Sequence, residues 1–279
     1  MGVLLSLVLL LAVAGAGRAD VYLVERVVNS GFGPGKTGAR TTVNRIYVKG
    51  ARQKVEADVS ASEAAARALR EQGQPLRSST ILRLDRDTVY VVDREAQTYV
   101  RQRIPPPAAK AARPAAGPES PVVRFDVEER PDTARVAGIR CRRIVARMQA
   151  RYLDPKTGQP RRENRYVFDA WMAEGFPGFD ELKAFQTQQR SETSYPPLIS
   201  GGLEQLSQVA EDSVELAAQM EALQGFPLRS VLTVSVLRPG STRATEVFRL
   251  EREVQSLEHS ALPDSVFVPS RSLTEIRPE

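Results

Sequence analysis

One stretch in the second half of the chain, IVARMQARY (144–152), constrains the fold more than any other. Ile144, Ala146, Met148, Ala150 and Tyr152 alternate there with a set that includes Arg147, Gln149 and Arg151. Successive side chains of a β-strand point to opposite faces, so this spacing separates an apolar side from a guanidinium-rich side. A strand of that kind belongs in an antiparallel sheet with one dry and one wet face.

The same reading extends along the chain. YLVERVVN (22–29), TTVNRIYV (41–48), QKVEADV (53–59), TILRL (80–84), TVYVV (88–92), TYVR (98–101) and RYVFDAW (165–171) are β-rich, as are 122–128, 230–237 and 245–252. A last strand is expected near 266–269. Turn residues separate them, among them Lys49-Gly50-Ala51, Asp93-Arg94-Glu95 and Pro239-Gly240-Ser241. Three segments read as helices. SASEAAARALREQ (60–72) is capped by Ser60 or Ser62 and stopped by Gly73, and GFDELKAFQTQQ (178–189) is the second. In the third, 203–223, Leu203, Leu206, Val209, Ala210, Leu216 and Met220 recur at roughly helical spacing. The class is therefore α+β, mainly antiparallel β.

Two segments stand outside this pattern. Residues 1–19 carry the apolar run VLLSLVLLLAV followed by Ala14, Gly15, Ala16 and Gly17, the layout of a secretory signal peptide with cleavage expected after Ala19. The run is shorter than the roughly 20 apolar residues of a spanning helix. A periplasmic or secreted location is expected. The second is PPPAAKAARPAAGPESP (105–121), whose prolines and alanines favour an extended, semi-rigid form. Because both flanks are strand-rich, it is expected to be an excursion within a single domain spanning 20–279.

Composition removes several functions. The net charge is only +5, with 39 basic and 34 acidic residues interleaved, whereas nucleic-acid binders concentrate their basic residues on one face. The chain has one His, His259, so sites built from several histidines are excluded, and QSLEHSALPDS around it reads as a polar turn. The one Cys, Cys141, begins a strand-like alternation and is expected to be buried and structural. No cofactor and no metal site is expected. GFGPGKTGAR (31–40) ends like a phosphate-binding loop, but Ser30 stands where the first glycine is needed and a strand follows where a helix is required. It reads as a glycine-rich hairpin loop between the first two strands. Being basic and at the rim, it is a candidate for peripheral envelope contact, not for a nucleotide. Glu174, Asp180 and Glu181 cluster near Trp171, and acidic residues at a helix N-terminus account for the latter two. Trp171, Phe176 and Phe179 read first as core.

Several phrases taken in order resemble one family. YVKGARQKVEADV, STILRLDRDTVYVVDREAQTYV, VAGIRCRRIVARM, FDAWMAEGFPGFDELKAF, LQGFPLRSVLTVSV and SALPDSVFVPSRSLTEI are similar to segments of a bacterial exported domain-of-unknown-function family. Its fold resembles that of the periplasmic lipoprotein carrier and the outer-membrane lipoprotein receptor. The Pro/Ala excursion is extra, and Arg271-Ser272 replaces the usual Gly-Tyr ending. The resemblance implies a strongly curved half-barrel sheet with helices on its concave side, and a cavity suited to acyl chains. It carries over no catalytic residue. The expectation is thus a non-enzymatic exported protein that binds a hydrophobic ligand, a lipid or a lipidated partner protein, with Trp171, Leu206, Val209 and Met220 lining the cavity. Two alternatives stand beside it: an envelope scaffold whose cavity is filled by its own side chains, and a secreted hydrolase using paired carboxylates.

Overall fold

Pairings between consecutive strands build two antiparallel meanders, and one long-range pairing joins them. In this computed structural model, which describes residues 20–31, 33, 38–107, 121–154, 156–195 and 225–277, the first meander comprises β1 (Asp20–Asn29), β2 (Arg40–Lys49), β3 (Arg52–Ala61), β4 (Arg77–Arg83), β5 (Thr88–Asp93) and β6 (Thr98–Arg103). Each pairs antiparallel with the next. The second comprises β7 (Val122–Val136), β8 (Ile139–Leu153), β9 (Pro160–Ala173), β10 (Phe226–Leu237) and β11 (Thr245–Ser260). β1 pairs antiparallel with β11 and fuses the two halves. A short β12 (Thr274–Ile276) adds in parallel to β6 at the outer edge. The sheet order is β12-β6-β5-β4-β3-β2-β1-β11-β10-β9-β8-β7. β7 comes within 8 Å of β11 between Cα atoms, although β8, β9 and β10 lie between them in that order. The expected signal peptide (1–19), most of the Pro/Ala-rich segment (108–120) and the expected helix at 203–223 lie outside the described residues.

Cross-strand registers carry one face through the whole sheet. On the first half it presents Val21, Leu23, Ile46, Val48, Val55, Leu82 and Val89, all buried. Helix α2 (Phe179–Glu192) lays Leu182 and Phe185 onto this surface, each 1% exposed. On the second half the same face presents Ile144, Ala146, Met148, Phe168, Ala170 and Leu232 as a second buried cluster. The alternation at 144–152 is thus the edge of a real core. The approach of α2 to β1 depends on Gly178, which has φ +85°, and an added Cβ there would lie 2.5 Å from Val21 Cγ2. Helix α1 (Glu63–Glu71) connects β3 to β4, with Ser62 Oγ accepting from the Ala65 N–H at 3.3 Å.

The opposite face of β3–β4 is closed by the C-terminal segment. A 3₁₀ turn at Asp264–Phe267 buries Phe267 completely, the Arg52 guanidinium sits 5.6 Å from its ring centre, and Arg83 Nη1 donates to its carbonyl at 3.2 Å. Arg83 also donates twice to Asp85, at 2.8 Å each. Those hydrogen bonds hold the Asp85 carboxyl below its ordinary value of 3.8, despite the opposing pull of burial. Its contribution to stability is present above that ordinary value and is lost as pH falls through the lower folded one.

Four expectations are corrected here. The last strand is not at 266–269: that stretch starts in a 3₁₀ turn after Pro263, held by Phe267 burial, and the strand is β12. His259 lies in β11, paired with Val21, because the ladder to β1 extends that strand to Ser260. Its polar surroundings reflect an exposed strand end, not a turn. β7 and β8 are far longer than 122–128 and 144–152. Ala137 (φ 48°) and Gly138 (φ 79°) form a tight hairpin, and a bulge between Arg130 and Thr133 takes up Pro131 on an edge strand, where a missing N–H is tolerated. Finally, β3 runs through Ser60 and Ala61, which leaves Ser62 as the helix cap.

Two measurements check this packing. Phe185→Ala is expected to cost about 3–5 kcal/mol in urea unfolding, whereas Val122→Ala, at a side chain 59% exposed, should cost under about 0.5 kcal/mol. Cys141 is 1% exposed and burial pushes its thiol up, so iodoacetamide should label it only in denaturant. Rapid labelling of the native protein would contradict the placement of β8.

Candidate functional site

A row of polar side chains, interrupted only by Ala57, crosses the otherwise apolar face. By register it runs Thr98, Asp93, Ser78, Ala57, Asn44 and Glu25 over β6, β5, β4, β3, β2 and β1. It ends at the junction of the two meanders. There Glu25, 2% exposed, accepts from Asn44 Nδ2 at 2.7 Å through Oε1 and from Arg252 Nη2 through Oε2. Arg252 lies on β11, is 9% exposed, and stands opposite the buried Ser230 of β10. Its Nη1 meets no acceptor among the described residues. The pair lies where the first apolar cluster gives way to the second. Removing two charges from water costs several kcal/mol per ion, and hydrophobic substitutes of similar volume often serve stability as well or better. The pair is therefore an ionic clasp that bridges β1 and β11 at the junction.

At the other end of the row the same face opens into a cavity of about 530 Å³. α1 contributes Leu69 to its wall, and the segment after it contributes Gly73, Gln74 and Pro75. From the sheet come Val59, Val91 and Val100, with Ile276 at the β12 edge. Thr80, Val91, Val100 and Ile276 form one cross-strand row. Val91 is 40% and Ile276 45% exposed, the least covered large apolar side chains of the wall. Polar groups complete it: Arg40 and Thr42 at one end, and Ser78, Asp93, Thr98 and Tyr99 along the side. Asp93 Oδ1 accepts the Glu95 and Ala96 N–H groups at 2.8 and 2.9 Å. Tyr99 donates its hydroxyl to Glu275 at 3.0 Å, which holds the phenol above its ordinary value.

The residues singled out from sequence fall elsewhere. Trp171 is half-buried against the first apolar cluster, with the Arg143 guanidinium 5.8 Å from its ring centre. It does not belong to the cavity wall. Leu206, Val209 and Met220 lie outside the described residues. Phe176 is core, in edge contact with Phe179 and Phe226. The acidic cluster near Trp171 disperses: Glu174 accepts from Arg142 at 2.9 Å, and Glu181 accepts the Gly50 N–H at 2.9 Å. Glu181 thereby ties the first turn of α2 to the β2–β3 hairpin. Gly31–Arg40 does join β1 to β2, with the Gly33 N–H donating to the Val247 carbonyl at 2.9 Å. Among the described residues no three His, Cys, Asp or Glu side chains converge as a metal site would require, and no helix is long and apolar enough to cross a membrane.

The cavity residues carried no motif. The clasp did leave a signal: Glu25 falls at the apolar parity of Val21, Leu23 and Val27, and Arg252 at that of Phe248, Leu250 and Val254. No protein-family model matches the chain, and no curated protein matches it either.

A double-mutant cycle tests the clasp. Glu25→Leu and Arg252→Met alone should each cost about 3–5 kcal/mol, because each strands a buried charge. The double variant should recover most of that loss. Additive losses in urea unfolding would show that the two side chains do not act as a pair.

Proposed function

We propose that this is an exported, non-enzymatic protein that binds a hydrophobic ligand, a lipid or the acyl group of a lipidated partner, on the α1-covered face of its sheet. The observation that carries this reading is the 530 Å³ cavity with Val91 and Ile276 part-exposed in its wall. That volume lies within the roughly 300–1,000 Å³ typical of small-molecule sites, and the wall has the usual mixture of apolar surface with a few polar groups. Covering a valine or isoleucine completely is worth about 1.5–3 kcal/mol, so completing the cover of these two offers about 1 kcal/mol each to a ligand. A curled, half-barrel sheet with its helices on the inner side fits the same reading. The close approach of β7 to β11 supports the curl, and α2 sharing its face with the cavity supports the placement of the helices.

A second reading has its own observation. α2 fills the middle of the face with Leu182 and Phe185, so a scaffold whose interior is occupied by its own side chains is the competing proposal.

Titration with the apolar fluorophore N-phenyl-1-naphthylamine separates the two. Binding is expected, weakened at least about tenfold by Val91→Arg, since a cation would then stand on the apolar floor. It should be unchanged by Val122→Arg at the far edge. Native mass spectrometry after mild extraction should show an added lipid-sized mass. A ligand-free spectrum together with no probe binding would overturn the ligand reading in favour of the scaffold.

A further inference from the structure

The cavity wall has a polarity that says which ligands it takes. Arg40 and Thr42 stand on β2, and Ile276 stands on β12. Between them lie β3, β4, β5 and β6, so the wall spans five strand spacings, on the order of 24 Å. Its apolar groups, Val59, Val91, Val100 and Ile276, are spread along that length. The shape suits one extended chain better than a compact ring system.

The charges are distributed unequally. Arg40 is the one cation of the wall and has no ion-pair partner among the described residues. Asp93 is its one carboxylate among the described residues, and Oδ1 of that group already accepts from two backbone N–H groups. Register places Asp93 in the cross-strand row of Asn44, on β5, whereas Arg40 begins β2 opposite Ala61. Three strand spacings and an offset of four residues along the strands keep the two apart, each contribution on the order of 13–14 Å. The acid therefore does not neutralise the base. Arg40 presents fixed donors and permanent positive charge to whatever fills its end of the cavity, a geometry matched to planar or tetrahedral oxyanions. Thr42, two residues along β2, lines the same end of the cavity.

We infer that the cavity takes a single-chain amphiphile with an oxyanion head, carboxylate or phosphate, the head at Arg40 and the chain running over Val59, Val91 and Val100 toward Ile276. This rests on the ligand-binding reading above and adds the class and direction of the ligand.

The test is competition against bound N-phenyl-1-naphthylamine by four twelve-carbon amphiphiles below their micellar concentrations: dodecanoate, dodecyl phosphate, dodecan-1-ol and dodecyltrimethylammonium. The two anions should compete about tenfold more strongly than the alcohol, the contribution of one charge-assisted contact, and the cation should compete most weakly. Arg40→Gln should remove the anion preference while leaving the alcohol unchanged, and Arg40→Lys should restore most of it. Whichever anion binds more tightly identifies the head as carboxylate or phosphate. Added salt should weaken the anions alone. Equal competition by dodecanoate, dodecyl phosphate and dodecan-1-ol would overturn the oxyanion head while leaving the apolar cavity standing. Equal loss of all four in Arg40→Gln, with circular dichroism unchanged, would overturn the role of Arg40. Failure of every amphiphile to displace the probe would instead overturn the cavity reading itself.

Discussion

The pairing of β1 with β11 is the constraint on which the rest of the molecule depends. Every other antiparallel contact in the sheet joins strands that are consecutive in the sequence, across α1 at β3–β4 and across residues 174–225 at β9–β10. β1 and β11 come from opposite ends of the chain, and their pairing costs the most loop-closure entropy. Without it there are two open sheets, each with an unpaired edge where the apolar face should be continuous. The Glu25–Arg252 clasp crosses this seam, and Asn44 supports it from the neighbouring strand. A one-residue slip would turn Glu25 away from Arg252 and move the apolar set of β1 to the wet side. A buried ion pair adds little net stability, but a slip that separated its partners would strand two buried charges.

Once the seam is set, the two ends of the face diverge. The middle is filled by α2 through Leu182 and Phe185, and the second meander buries its own apolar cluster. Under α1, by contrast, only Leu69 and the turn after it, among the described residues, reach over β3 to β6. A nine-residue helix is too short to roof that span, so Val91 and Ile276 stay part-exposed and a cavity remains. The proposed activity thus follows from a mismatch of lengths: a wide sheet and a short helix.

Much of this was legible in the sequence and some was not. Period-two alternation at IVARMQARY identified a half-wet strand, and the sides it assigned agree with the burial of Ala146, Met148 and Ala150. Cys141 could be placed in the interior because a strand began there. Strand ends were harder. The β7–β8 hairpin hides in EERPDTARVAGIRCRR, where charges suit an outer edge and a bulge accommodates Pro131. Local pattern says nothing about which strands pair across two hundred residues, so neither the seam nor the residues that line the cavity at the far end of the face were visible. The exception is the clasp. A Glu and an Arg, each interrupting an apolar stripe, are the mark of a buried pair, but they announce a partner without naming it. Trp171 was expected to line the cavity, and its surroundings are those of a packed aromatic with a guanidinium over its ring.

The central claim is that a ligand chain lies along the β2–β12 cavity under α1. Methyl-resolved NMR of the valine- and isoleucine-labelled protein, titrated with dodecanoate, tests it most directly. Saturable shifts are expected at Val59, Val91, Val100 and Ile276, with the buried Val21, Val48 and Ile144 methyls unmoved. Shifts confined to other sites, or none at all at millimolar ligand, would contradict it.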